Sequence, residues 1–457
     1  MSRLIRLLAR GIFLAGVAWP GVGAEPAPAA DWPLPETYFP ALKSLLSTAV
    51  SQSPRMVARN AEMAVAEGNR IVARSGQLPA LTGFLQYFPW QRDDRADLPA
   101  PVTTNRLGFN LTLSQPIYHW GALRNNTRMG ELQLRMTQGQ TAEGYRLLVQ
   151  ELRAQYLQLV IRKVALVRAR LSLQIAQDNR DVAQTKFDRK VISSSDLFQP
   201  QMQLEQTQLA VDRAAEDYES LKGVFARLCG TPAPSDASIP DEIPLVGGAS
   251  PAFEPRLEAF TQQKDPSSYV LRNLRDQIEV ERLSHQNITT RLRPQLNFLL
   301  GVSQDQQSYS PNLAAKYQVL SYFTGVQFTW SVFDGYAARG AAASSLARRR
   351  QLEASYQDQA ASLSDQARSQ LKQIGFARRS MEISDRLLNA NAGGLDQRKS
   401  DAAHGLASDA DVRASQLAFQ DAQLSTYSAR ADYLLKVSDY LSTLLEDPAL
   451  ANLPHAP

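Results

Sequence analysis

The chain has 457 residues, a net charge of +4 and a single cysteine, Cys229. One cysteine excludes a disulfide framework and a CxxC metal site, and the small net charge leaves no basic footprint for nucleic acid. The length suffices for two or three domains of ordinary size.

The first 24 residues have the features of a secretory signal peptide. Three arginines precede a short apolar stretch, and small residues follow it up to Ala24. That stretch is too short for a membrane-spanning helix, so we expect export and cleavage after about Ala24, with an uncleaved anchor as the alternative. The segment carries three of the basic residues and no acid, so its removal leaves a net charge of about +1. The residue directly after the site is Glu25 and not a cysteine, so an N-terminal lipid is not expected.

The first half of the mature chain alternates between helical and strand patterns. Polar residues, prolines and arginines over 89–105 indicate a loop between two strands. The predicted elements are, in order, a Pro-rich segment (25–41), a helix kinked at Pro54, a strand hairpin (81–115), a long helix (121–190) and a returning helix (196–228). From 42 to 229 these elements make up one unit.

The strand around Phe109 has one apolar and one polar face. Phe109, Leu111 and Leu113 alternate with small or polar residues. This period of two is typical of a strand with one face in water and the other in an apolar environment. A tilted strand of about nine to eleven residues crosses a bilayer. We therefore expect these three side chains to face lipid. Aromatic residues near the strand ends would lie at the membrane surface: Tyr87, Phe88, Trp90, Tyr118, Trp120, Tyr322 and Phe323.

The second half repeats the first at an offset of about 215 residues. Asp196-Leu197 corresponds to Asp411-Val412, and Gly108–Ser114 aligns with Gly325–Ser331, with Gln115-Pro116 as an insertion in the first copy. A Pro-, Gly- and Ser-rich segment (230–266) follows the first unit as a linker, with a small folded collar as the alternative. The predicted elements after it are a helix (267–291), a strand hairpin (295–332), a long helix (336–403), a returning helix (409–446) and a tail (447–457).

The long helices exclude an ordinary compact domain. Seventy residues over 121–190 would extend roughly 105 Å. Apolar residues spaced by seven form one seam in each long helix, typical of packing against neighbouring helices: Tyr145, Leu152, Leu159, Leu166 and Leu173, and Ala367, Ile374, Met381, Leu388 and Leu395. The helices alone would also fit a coiled-coil rod.

The strands favour a pore over a rod. Four strands cannot close a sheet alone, so several chains would share one barrel, because backbone groups in lipid must be paired in a closed sheet. A soluble sandwich with one buried face is the alternative. The sequence thus indicates a mixed α/β membrane protein with two internal repeats.

At this point the sequence resembles the bacterial outer membrane efflux proteins, the TolC-like outer membrane factors, over about residues 40–447. The resemblance depends on the duplicated plan, the strand-to-helix junctions Ser114–Gly121 and Ser331–Tyr336, and the Asp-aliphatic pairs that open the returning helices. The second junction has the aromatic-Asp-Gly pattern of that family, whereas His119-Trp120 replaces Asp-Gly in the first. The candidate junction residues are Pro116, Gly121, Asp334 and Gly335.

The resemblance implies a homotrimer. Its shared 12-stranded outer membrane β-barrel would continue into a long periplasmic α-helical coiled-coil barrel. It also implies a periplasmic adaptor (membrane fusion) protein, an inner membrane pump or ABC exporter, and outer membrane lipid as partners. The function implied is a passive duct of a tripartite efflux or type I secretion system. The cargo, whether drugs, metals or proteins, stays open.

Acidic residues at the ends of the returning helices are the candidate functional site. The resemblance implies that Asp196 and Asp411 line a narrow periplasmic entrance, with Asp409 as a further candidate because Ala414 stands where the family has a second acid. The alternative is that both aspartates only cap their helices and have no role at an entrance. No nucleophile motif, phosphate loop or metal spacing occurs, so we expect no enzyme activity, cofactor or metal. The competing function is a periplasmic coiled-coil adaptor or structural spacer.

Overall fold

The computed structural model describes residues 32–94, 101–247, 253–263, 266–307 and 317–453. The expected signal peptide lies outside the described residues, as do the middles of both hairpin loops. The elements of the first half are α1 (Pro35–Tyr38), α2 (Pro40–Gln52), α3 (Pro54–Ser75), β1 (Ala80–Asp93), β2 (Val102–Tyr118), α4 (Ala122–Asp188) and α5 (Ser194–Cys229).

The helix expected to bend at Pro54 is two helices. Ser53 has an extended backbone, with φ −60° and ψ 128°, and Pro54 is the first residue of α3. A residue before proline is disfavoured in the helical region, whereas proline is well suited to the first helical turn. The kink is therefore a complete break.

The second half has the same order of elements. They are α6 (Phe253–Gln262), α7 (Tyr269–Thr290), β3 (Gln295–Gln307), β4 (Tyr317–Thr329), α8 (Ala337–Ala403) and α9 (Asp409–Thr443). Both long helices, α4 and α8, have 67 residues, which corresponds to about 100 Å each. Within the described residues, no helix is both long and apolar enough to cross a membrane.

The short helices lie along the long ones. Helices α3 and α5 pack on α4, and α7 and α9 pack on α8. Contacts of α4 with α7 and α9 join the two halves side by side. The strands are at one end of this bundle, and the turns α4–α5 and α8–α9 are at the other.

The seams with seven-residue spacing are largely buried. In α4, Tyr145, Leu152 and Leu159 are fully buried, and in α8, Ala367 and Ile374 are buried. Each fully buried leucine stabilises the fold by about 1.5–3 kcal/mol relative to its exposed state. The heptad pattern therefore identifies the packing seam correctly.

Part of the segment predicted as a linker belongs to the core. Ile239 and Ile243 are buried in the main hydrophobic cluster around the middle of α4, and α6 lies within the same segment. The described part of the predicted tail, residues 447–453, is packed too, because the Tyr145 hydroxyl donates to the carbonyl of Ala449 at 3.2 Å. Composition alone does not distinguish a Pro-rich packed segment from a mobile one.

A buried arginine joins α1 and the segment after α9 to the middle of α4. Arg153 has no exposed surface, and its guanidinium forms ion pairs with Glu36 of α1 and with Asp447, which follows α9. It also donates to the Ser438 hydroxyl at 2.6 Å. Each buried charge is therefore paired and hydrogen-bonded, as burial requires.

The described strands form one antiparallel sheet in the order β1-β2-β3-β4. Residues paired directly across strands lie on one face, so the register separates the two faces. One face is apolar, with rows such as Leu81, Leu113 and Leu300. The other carries Thr112, Asn110 and Ser303 and the ion pair Arg106–Asp305, at 2.7 Å. The alternation read at Phe109, Leu111 and Leu113 identifies one face correctly.

Both strands of the first hairpin are longer than expected. The predicted loop over 89–105 includes the end of β1 and the start of β2. The register shifts between Phe88 and Gln91, where Pro89 has no N–H to offer, and a bulge on an edge strand tolerates this lack. The insertion Gln115-Pro116 is likewise part of β2, with a register shift between Pro116 and Tyr118.

Candidate functional site

The turn from α4 into α5 ends in a capping box. The Ser193 hydroxyl accepts a hydrogen bond from the backbone N–H of Asp196, at 3.2 Å. The Asp196 carboxylate accepts bonds from the backbone N–H and the hydroxyl of Ser193, at 3.0 and 2.8 Å. These bonds satisfy N–H groups that a helix start leaves free, so the Ser-x-x-Asp sequence fixes where α5 begins.

The turn from α8 into α9 has the same geometry. The Ser408 hydroxyl accepts from the backbone N–H of Asp411 at 3.2 Å, and the Asp411 carboxylate accepts from the backbone N–H of Ser408 at 3.0 Å. The hydroxyl donates to the carboxylate at 2.7 Å. Both aspartates thus act as helix caps, and both are exposed at the same end of the bundle.

Capping lowers the pKa of both carboxyl groups. The backbone N–H of Ser193, followed by its hydroxyl, holds the pKa of Asp196 below its ordinary value. The Ser408 hydroxyl, followed by its backbone N–H, does the same for the pKa of Asp411, and the positive charge of Arg398 adds to it. Hydrogen bonds to the ionised form favour that form, so both groups are charged at neutral pH.

One carboxylate oxygen remains available at each turn. Each capping bond goes to Oδ2, and no described residue bonds Oδ1 of Asp196 or Asp411. Asp409 lies exposed in the first turn of α9 outside the capping box, and Ala414 is exposed nearby. We call the end of the bundle that carries the α4–α5 and α8–α9 turns the tip. Both of its turns present exposed negative charge.

The residues that end α4 and α8 also correspond. The N–H of Val191 donates to the carbonyl of Lys186, and the N–H of Leu406 donates to the carbonyl of Asp401, both at 2.8 Å. This closing bond requires a left-handed residue one position earlier. Gly405 takes that role in the second turn with φ 74°, whereas Lys190 takes it in the first with φ 62°.

Two separate substitutions at these positions should change the stability of their turns in opposite directions. We expect Lys190→Gly to stabilise the first turn by about 1 kcal/mol, because glycine adopts a left-handed backbone without the clash that a Cβ causes. Gly405→Lys should destabilise the second turn by a similar amount. Amide hydrogen exchange over 185–198 and 400–413 measures both effects, and parallel changes in the two variants would contradict the assignment.

Ion pairs link α9 to α4 near the end of the bundle that carries the two turns. Arg413, two residues after Asp411, pairs with Asp178 of α4 at 3.0 Å, and Arg168 of α4 pairs with Asp421 of α9 at 2.5 Å. These four residues carry no motif, and the sequence gives no signal of their pairing. They lie between α9 and α4, within about three helical turns of Asp411 along α9.

Two consecutive left-handed residues form each strand-to-helix junction. They are Trp120 and Gly121 before α4, with φ 53° and 86°, and Gly335 and Tyr336 before α8, with φ 63° and 64°. The glycine is the second of the two left-handed residues before α4 and the first of the two before α8. Asp334 caps α8 by accepting from the N–H of Ala338 at 2.9 Å, and Pro116 lies at the bulged end of β2.

Two tryptophans at the junctions have a contact that the sequence does not reveal. The indole N–H of Trp120 donates to the carbonyl of Pro294 at 2.7 Å, and that of Trp330 donates to the carbonyl of Leu292 at 2.9 Å. Both carbonyls follow the end of α7. A buried or interfacial indole N–H usually finds such a partner, so these side chains tie the strands to the helices.

No cluster of metal-binding side chains occurs in the part of the chain that the structure describes. The functional geometry therefore consists of a two-faced sheet at one end, long helices, and exposed capping aspartates at the other end.

Comparison with known proteins identifies relatives of this architecture. The model of the outer membrane efflux protein family matches residues 45–221. The fold is similar to the CmeC outer membrane channel of Campylobacter jejuni, with TM-score 0.70, 12% identity and coverage of 95% of this chain and 94% of that one. It is also similar to the open state of the MtrE outer membrane channel of Neisseria gonorrhoeae, with TM-score 0.65, 12% identity and coverage of 92% and 95%.

A third similar structure is the outer membrane protein VceC of Vibrio cholerae, with TM-score 0.64, 13% identity and coverage of 90% and 97%. None of the curated proteins compared with the chain matches it. At these identities the structural likeness shows the fold. The family match over residues 45–221 agrees with the resemblance found in the sequence.

Proposed function

We propose that this chain, which is related to the bacterial outer membrane efflux proteins, is the outer membrane duct of a tripartite efflux or type I secretion system. One observation carries the proposal. A four-stranded sheet with one apolar and one polar face stands at one end of helices about 100 Å long. A membrane barrel with a water-filled interior needs an apolar outer surface toward lipid and a polar inner surface toward water.

The sheet requires further copies of the chain. Its outer strands, β1 and β4, each have one side without a partner strand among the described residues. Open edges are not tolerated in lipid, so β4 of one copy pairs with β1 of the next. Three copies give the twelve-stranded barrel expected from the resemblance, and their helices continue it into the periplasm.

The exposed aspartates form the periplasmic entrance in this arrangement. Three chains bring six carboxylates, from Asp196 and Asp411, around one opening, with Asp409 close by. Rings of acidic side chains attract cations and repel anions. Each aspartate can cap its helix and line the opening at the same time, because the capping bonds use its Oδ2 atom and leave Oδ1 for the opening.

The tip also carries apolar side chains that fit a protein partner. Val191 and Leu406, at corresponding positions of the two turns, are 70% and 79% exposed. We propose that they contact a periplasmic adaptor, and that an inner membrane pump or ABC exporter supplies the energy. A passive duct performs no reaction, in agreement with the family match and with the expectation that the protein is not an enzyme.

Two neighbouring substitutions test the membrane orientation of the sheet. Leu111 lies on the apolar face and Thr112 on the polar face of β2. Leu111→Arg should cost about 2–4 kcal/mol of insertion free energy and remove the protein from the outer membrane fraction. Thr112→Arg should leave insertion intact. The measurement is the amount recovered from outer membranes with detergent.

The competing function predicts different results. A periplasmic adaptor or spacer would show no difference between the two variants, and the unmodified chain would be recovered without detergent. Either outcome would exclude the duct. The duct also predicts ion current when the purified protein is reconstituted in a planar bilayer.

A further inference from the structure

Three phenylalanines lie on the polar face of the sheet. Phe84 pairs directly with Asn110, Phe88 with Arg106, and Phe323 with Gly301. Phe88 and Phe323 were expected at the membrane surface, but the register turns both away from the lipid-facing side. In a duct these rings face water, where exposed aromatic side chains are disfavoured.

The three rings are exposed, and that of Phe323 packs closely on the sheet. Phe84 is 61% exposed, Phe88 45% and Phe323 37%. The ring of Phe323 lies across Gly301, since a Cβ at that glycine would be 2.4 Å from the Cζ of Phe323. A side chain at position 301 would displace the ring, so glycine there lets Phe323 lie flat on the polar face.

The rings occupy both edges of the sheet. Phe84 and Phe88 belong to β1, and Phe323 belongs to β4. When β4 of one chain pairs with β1 of the next, the rings of the two edges lie on neighbouring strands at each chain boundary. Three chains contribute nine rings to one belt around the bore.

The chemistry of the belt selects its ligand. Among the described side chains of the polar face, the charged groups nearest the rings are Arg106 and Asp305, which neutralise each other, so the belt offers apolar surface without net charge. The rings are separated by small polar residues such as Ser303 and Ser321. The rings therefore offer separate apolar patches between polar groups, each of a size to contact one small aromatic molecule.

We propose that Phe84, Phe88 and Phe323 form an aromatic belt inside the barrel that binds aromatic, apolar small molecules in transit. The proposal rests on the proposed duct function. Ring faces stack on flat aromatic molecules and attract aromatic cations, so such cargo enters this part of the bore more readily than hydrated ions. The belt lies in the sheet, far from the acidic tip.

Block of ion current tests the belt. Tetraphenylphosphonium is added to the barrel side of the reconstituted protein, with tetraethylammonium as a probe of equal charge without rings. Phe84→Ala/Phe323→Ala should raise the half-blocking concentration of tetraphenylphosphonium about tenfold, because two stacking partners are lost. Tetraethylammonium should block both proteins equally.

The matched control is Leu85→Ala/Val326→Ala, which removes similar apolar volume from the same two strands on the lipid-facing side. It should leave block by both probes unchanged. If the alanine pair fails to insert, Phe84→Leu/Phe323→Leu keeps the apolar bulk and removes only the ring faces.

Three outcomes would overturn the belt. They are unchanged tetraphenylphosphonium block in the phenylalanine variants, an equal shift for tetraethylammonium, and an equal shift in the control pair. A reconstituted wild-type chain that passes no ion current would overturn the duct itself and the belt with it. If the wild-type chain passes current but the phenylalanine variants are blocked by tetraphenylphosphonium as strongly as the wild type, only the belt is overturned.

Discussion

Replacing Arg153 by alanine should lower the free energy of unfolding by about 3–5 kcal/mol, because it leaves two buried carboxylates without their positive partner. Arg153 is fully buried, and the side chains of Glu36 and Asp447 are 13% and 1% exposed. Its Nε bonds Glu36 and one NH₂ group bonds Asp447, both at 2.9 Å. Loss of the guanidinium would release α1 and the segment after α9 from α4.

The pKa of Arg153 supports its fixed charge. Burial alone would lower the pKa of the guanidinium, but its hydrogen bonds and attraction to Asp447, and then to Glu36, raise it above the ordinary value. The group therefore stays positive at every pH at which the protein is folded. Arg153→Lys should rescue little, because an ammonium cannot form two bidentate contacts.

A surface arginine gives the control. Arg162, nine residues further along α4, pairs with Asp217 at 3.5 Å, and both side chains are half exposed. Exposed pairs contribute about 0–1 kcal/mol, so Arg162→Ala should change stability little. Denaturant unfolding in detergent at a fixed protein concentration measures both, since the stability of an oligomer depends on concentration.

A neutral replacement of the whole cluster separates charge from packing. Arg153→Met with Glu36→Gln and Asp447→Asn removes all the charges and should recover much of the loss, because buried ion pairs are often replaceable by neutral groups. Asn at 447 keeps an oxygen that can accept from the N–H of Ala449, as Asp447 does at 2.9 Å. Equal losses for Arg153→Ala and Arg162→Ala would contradict the assigned role.

The contrast between Arg153 and Asp196 shows what the sequence can predict. Asp196 acts within its own turn, three residues from Ser193, and Ser-x-x-Asp before an apolar run predicts a helix start from local chemistry alone. The partners of Arg153 are 117 and 294 positions away. Periodicity indicates that a residue lies on a buried seam, but it does not identify a distant partner.

The strands show the same limit. Alternation predicts which residues share a face, because the side-chain period of two is local. It does not predict the bulges at Pro89 and Pro116, which depend on the neighbouring strand. The aromatic residues near the strand ends were grouped by position along the chain, and only the register assigns Phe88 and Phe323 to the polar face.

Replacing both capping aspartates by asparagine should weaken cation block of the duct. Asp196→Asn/Asp411→Asn keeps side-chain size and an oxygen that can cap, but it removes all six charges from the proposed opening. Focused negative charge concentrates cations by a factor of about 10 or more. We therefore expect the half-blocking concentration of a polyvalent cation such as spermine, applied from the tip side, to rise roughly tenfold.

The pH dependence of this block separates lining from capping. The capping bonds lower the pKa of both carboxyl groups. Their contribution to stability is therefore complete above the pKa of the unfolded chain and is lost as the pH falls through the lower folded value. Crowding six carboxylates around one opening raises their pKa by repulsion. If the groups line one opening, the midpoint pH at which spermine block is lost should be lower in Asp196→Asn, which keeps only the three Asp411 carboxylates, than in the unmodified protein.

Asp409→Asn gives the control for position. Asp409 lies two residues from Asp411 in the same exposed turn but outside the capping box. A smaller effect from this change than from Asp411→Asn would place the cap residue nearer the opening, and an equal effect would assign both to it. Unchanged spermine block in the double variant would show that the aspartates only cap their helices. The entrance would then have to be sought elsewhere on the tip.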